Sequence, residues 1–106
     1  MPTRVPSTNR KPQRVRILGV DAEIAGSFLA RVRGLIGRKS LAPGTGLLIP
    51  HCNAIHTFFM KFPIDAVFID RNGQVVKTVR NICPWTPFVW GGFKAVKVLE
   101  TASRQA

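Results

Sequence analysis

Hydrophobic and polar positions alternate through "RVRIL", residues 14–18, with Val15 and Ile17 on one side and Arg14 and Arg16 on the other. That is the period of a half-buried strand. Gly19 and Asp21 mark a turn, and "AEIA" returns as a second short strand. The period then changes over "GSFLARVRGLIGRKSL". Phe28, Leu29, Val32, Leu35 and Ile36 fall on one helical face, which predicts a helix over about 27–37. Ser27 suits its N-cap, Gly37 its left-handed C-terminal cap, and Arg38 and Lys39 the negative end of the dipole. Gly34 costs this helix about 1 kcal/mol against Ala and implies a close neighbour on its backbone.

After the loop "APGTG", five segments read as strands: "LLIP", "IHTFFM", "IDAVFID", "QVVKTV" and "KAVKVLE". Each is short, rich in β-branched or aromatic residues, and bounded by turn signals. "DRNGQ" joins two of them as a hairpin with two registers open. An Asn72-Gly73 two-residue turn sets Asp65 opposite Arg80; a turn started by Asp70 and closed by Gly73 in a bulge sets Asp65 against Val79. Either way a cation stands near that carboxylate. "CPWTPFVWGG" holds two prolines, two glycines and both tryptophans, so it is an irregular apolar loop lying over a barrel mouth or a pocket. The expected fold is α+β and mainly β. An antiparallel sheet curls into a barrel or sandwich, and one principal helix (about 27–37) packs on it.

With 106 residues, the folded part from 13 to 106 is a single domain, able to bury about two-thirds of its unfolded surface. Residues 1–12 carry Pro2, Pro6 and Pro12 and read as a flexible basic arm. The arm has no apolar stretch of a secretory signal, and no run approaches the roughly 18 residues of a membrane span, so a cytoplasmic location and no membrane partner are expected. The net charge is +11, and Arg4, Arg10, Lys11, Arg14 and Arg16 precede the first acid, Asp21. Removing them leaves an excess of six, so the charge is not confined to the arm. Such a chain attracts polyanions non-specifically, chiefly nucleic acid through the arm. Neither an RNA-type aromatic motif nor zinc-finger spacing is present. Cys52 and Cys83 form no CxxC and are expected to be free thiols, at least one of them buried like a small hydrophobe.

The stretch "HCNAIHTFFMKFPIDAVFID", residues 51–70, gathers both histidines with Cys52, Met60 and Asp65. A metal is disfavoured: in extended chain Cys52 and His56 are roughly 13 Å apart, too far for one ion with bonds of about 2.0–2.3 Å. No metal and no cofactor is therefore expected. A bend at Pro63 brings His56 toward Asp65. That pair serves either as a polar edge to the core or, with Cys52, as general base and nucleophile. On the same alternation His56, Phe58 and Met60 share one face and Ile55, Thr57 and Phe59 the other. Met60, Phe58, Phe59 and Phe62 read most simply as core.

The pattern "RVRGLIGRKSL…GTGLLI…CNAIHTFFMKFPIDAVFIDRNGQVVKTV…PW…AVKVLE" resembles the DUF192 (UPF0127) family of prokaryotic proteins over about residues 14–100. Arg33-Gly34-Leu35, Ile55-His56-Thr57, Met60 and Pro63-Ile64-Asp65 carry the likeness. After "VLE" this chain reads "TASRQA", where members often continue with a Leu-Pro-Ala-Gly-like tail. The resemblance implies a mainly β domain with one helix and implies no activity. The expected function is a non-catalytic module that binds a small ligand or protein partner. Its pocket is His56, Met60 and Asp65, with Arg33 as counter-charge and Trp85 as apolar wall. The rivals are a small hydrolase-type enzyme, with His56 as general base or acid poised by Asp65, and a basic nucleic-acid-associated protein.

Overall fold

The computed structural model describes residues 13–25 and 38–103. The helix expected over 27–37, Arg33 within it, and the basic arm 1–12 lie outside the described residues. The described chain forms β1 (Arg14–Ile17), β2 (Val20–Ile24), β3 (Thr45–Pro50), β4 (Ala54–Ile55), β5 (Ile64–Ile69), β6 (Val75–Ile82), β7 (Val89–Trp90) and β8 (Lys97–Ala102). Six strands make one sheet in the order β1-β2-β3-β8-β5-β6, while β4 and β7 pair separately. The fold is thus mainly β, as expected. The barrel is not formed among the described residues, because β1 and β6 are open edges of the large sheet.

The sheet is also not wholly antiparallel, since β2 and β3 run parallel. A parallel pair needs a crossover of a dozen or more residues, and the stretch from 25 to 44 supplies that length. β1 and β2 instead join directly. Leu18 and Gly19 both take positive φ, 52° and 76°, and Ile17 pairs with Val20 across a two-residue turn.

Alternation along β5 and β8 divides the interior. Ile64, Ala66, Phe68 and Val98 face a larger core with Leu47, Ile49, Met60 and Ile82. Ile69 and Leu99 face the other side with Ala22 and Leu48. Ile55 of β4 and Val89 of β7 pack into the larger core, so the small sheet and its loops cover that face. Contact is close there: Gly91, buried just after β7, lies against the ring of Phe68, leaving no room for a side chain. The aromatic loop therefore lies over a sheet face and not over the barrel mouth that was one of its two expected places.

The β5–β6 hairpin adopts the bulged turn. Gly73 (φ 82°) donates its amide to the Asp70 carbonyl at 3.1 Å, and Asp70 Oδ1 accepts the amides of Asn72 and Gln74 at 2.9 Å each. The register then shifts twice, between Phe68 and Ile69 and between Ile64 and Ala66. Ala66 pairs with Val79 and Ile64 with Ile82, so Asp65 sits in the second bulge and matches neither simple register.

Candidate functional site

The segment "IHTFFM" is not a strand beyond Ile55. Thr57, fully buried, is why. Its amide donates to the Thr86 carbonyl at 2.9 Å, and its carbonyl accepts from Trp85 N–H at 2.8 Å and from Met60 N–H at 3.2 Å. Its hydroxyl donates to the Cys83 carbonyl at 2.7 Å and accepts the Thr86 amide at 2.8 Å. Backbone groups that would serve a strand ladder thus tie two loops together, and the alternation is lost. Met60 turns into the core at 5% exposure while Phe59 turns outward at 61%. The core reading of Met60 holds, and that of Phe59 is corrected.

Of the expected pocket, the four described residues do not all converge. Asp65 alternates with Ile64 and Ala66 on β5, so its side chain leaves the face on which Met60 packs. Its carboxylate accepts the Asn81 amide at 2.8 Å. Asn81, at φ 53°, in turn accepts the Ser103 hydroxyl at 3.2 Å. Asp65 therefore closes a bulge and ties β6 to the end of β8; the expected cation is not its partner, and among the described residues no ion pair links it to Arg80. The ion pairs among the described residues join Arg14 to Asp21 and Glu23, and Arg38 to Glu23. Arg33 lies outside the described residues.

His56 and Trp85, in contrast, do come together through the phenylalanines between them. His56 is exposed; its Nδ1 accepts the Phe58 amide at 3.1 Å, and its ring lies 5.1 Å from that of Phe58. This bond leaves Nε2 to carry the proton of the neutral imidazole. Phe58 meets Trp85 at 6.1 Å and Phe59 meets Trp85 at 4.7 Å. The backbones of Phe59 and Trp85 are both left-handed, at φ 63° and 69°. Such a conformation is rare for bulky residues and costs about 1–3 kcal/mol each. Trp85 is 57% exposed, so neither ring repays that cost by burial.

Neither cysteine is in a disulfide. Cys52, half-buried, directs Sγ to the Ala54 carbonyl at 3.1 Å, and Cys83 is exposed. The full burial expected of one thiol is not reached; Cys52 packs only at the margin of the larger core. Among the described residues no group of three or more His, Cys, Asp or Glu is placed to hold a metal ion, and no helix is long and apolar enough to cross a membrane. The residues that sequence reasoning missed are Thr57, Phe58 and Phe59. A threonine set among apolar neighbours was the available signal for the first.

The family whose model matches the chain is DUF192, described as an uncharacterized ACR, over residues 9–106. No curated protein matches. Two solved structures are similar. A protein of unknown function from Novosphingobium aromaticivorans DSM 12444 has 16% identity and a TM-score of 0.73, covering 100% of this chain and 91% of its own. A "putative transcription regulator" from Sinorhizobium meliloti 1021 has 21% identity and the same TM-score of 0.73, covering 85% of this chain and 78% of its own. At these identities the likeness is one of fold.

Proposed function

The chain belongs to the DUF192 family, and from that premise we propose that it is a non-catalytic binding module whose site is the cluster of His56, Phe58, Phe59 and Trp85. The observation that carries this reading is the pair Phe59 and Trp85, two large rings in contact, both held at positive φ and both more than half exposed. Folding gains little from them where they stand, and backbone strain is retained where it serves a site. The ligand is a small molecule or a partner side chain with an apolar or planar body, which the rings cover, and an acceptor that meets His56 Nε2–H. Met60 supports the cluster from the core, Thr57 fixes its two loops, and Asp65 acts at a distance by holding the sheet register.

The hydrolase reading draws less support, because the Asp65 carboxylate is engaged by Asn81 and His56 Nδ1 by the Phe58 amide. The test is an NMR screen of the full chain with a library of aromatic fragments. Hits should shift the Trp85 indole, the His56 ring and the Phe58 and Phe59 rings together, and a Trp85→Gly variant should lose them. Hits that map elsewhere, or that persist in this variant, would contradict the assignment.

A further inference from the structure

A second aromatic group stands apart from the first. Phe93 is 89% exposed and lies edge-to-face with Trp90, ring centroids 4.7 Å apart at 85°. A ring so open gains little from folding beyond its contact with Trp90. It borders a surface cavity of about 400 Å³ whose other walls are Asp70, Arg71, Asn72, Lys94 and Val96. The β5–β6 turn forms one side of this cavity and the loop after β7 the other.

Its electrostatics are one-sided. Arg71 and Lys94 are exposed and make no ion pair among the described residues. Lys77 adds a third positive charge close by, its Nζ 2.7 Å from the Trp90 carbonyl. The only acid at the cavity is Asp70, whose Oδ1 is occupied by two backbone amides. From residue 71 to residue 99 the chain holds no acid at all.

An open ring flanked by cations suits a ligand that is planar and anionic together. We propose that this cavity is a stacking and phosphate site for single-stranded nucleic acid. A base stacks on Phe93, which needs no sequence because every base has a π-face. Arg71 and Lys94 hold the adjoining phosphates, and the Asn72 side chain borders the base edge. Duplex is disfavoured because its bases are already stacked. An anionic bilayer is disfavoured because inserting Phe93 would carry the polar turn at Asp70 and Asn72 toward hydrocarbon. The site is distinct from the His56 cluster and belongs to the folded domain, not to the basic residues 1–12.

The test is fluorescence anisotropy of the full chain with labelled oligo-dT and oligo-rU of about 20 nucleotides, at two salt concentrations. Phe93→Ala should weaken binding about five- to hundredfold, the range for one stacked base, while its far-ultraviolet spectrum and melting stay unchanged. Arg71→Gln/Lys94→Gln should weaken binding and reduce the slope of log K against log salt by about 1.4, two single-strand phosphates' worth. Preference for either oligonucleotide identifies the natural strand. Three outcomes would overturn the proposal: no binding by the wild-type chain; wild-type affinity and slope in both variants, which would assign binding to other basic residues; or Phe93-dependent binding to phosphatidylserine vesicles with none to the oligonucleotides.

Discussion

At the scale of single residues, Thr57 and Glu100 show how few polar groups this interior admits and how each is used. Thr57 is fully satisfied and holds the loops of the aromatic cluster. Thr57→Val keeps the volume but orphans the Thr86 amide and leaves the Cys83 carbonyl with the Thr86 hydroxyl alone. A loss of about 1–3 kcal/mol is expected in urea denaturation, with the Trp85 indole signal broadening or shifting. Glu100 shares its side of β8 with Val98, opposite Leu47 and Ala66 of the larger core. Burial pushes its carboxyl up from 4.5 to about 7. Below the lower value folded and unfolded chains both hold the proton. Between the two only the folded chain does, so stability falls as pH rises through that window, by about 3 kcal/mol in total. Glu100→Gln should remove that component of the pH dependence, measured as denaturation midpoints at either end of the window.

At the scale of elements, most strands were legible because β-branched runs and turn residues act locally. "RVRIL" and "IDAVFID" each contain a strand where the pattern put one, and "QVVKTV" and "KAVKVLE" each overlap one that runs two or three residues further. "IHTFFM" misled because Thr57's partners, Cys83, Trp85 and Thr86, lie nearly thirty residues away and leave no local trace. The hairpin register was undecidable from sequence for a related reason. Its two shifts go with Asp65 capturing one backbone amide and Asp70 two, and no pattern of residues along either strand marks those amides in advance. The candidate site was correspondingly half legible: His56 and Trp85 share a cluster of rings, whereas Met60 lies in the core and Asp65 in the β5–β6 bulge. The covering of the larger core by the β7 loop makes its own prediction. A Cβ at residue 91 would overlap the buried Phe68 ring. Gly91→Ala should therefore cost about 1–3 kcal/mol by overpacking, read from thermal melts.

At the scale of the whole molecule, the sheet is an interior with two uneven faces, and the loops over the larger one carry an outer layer of rings. Phe59, Trp85, Phe88, Trp90 and Phe93 are all more than a third exposed. A chain of this size can afford few such displays, since its net stability is of order 5–15 kcal/mol. The proposed function requires that Phe59 and Trp85 be displayed for binding and not held for stability. Urea denaturation of Phe59→Gly tests it most directly. Glycine relieves the left-handed strain of about 1–3 kcal/mol, against an aromatic contact of about 0.5–1.5 and glycine's added chain entropy of about 0.5–1. The predicted stability is within about 1 kcal/mol of the wild-type chain. A loss of about 3–5 kcal/mol, the cost of deleting a buried phenylalanine, would make the ring structural and contradict the claim.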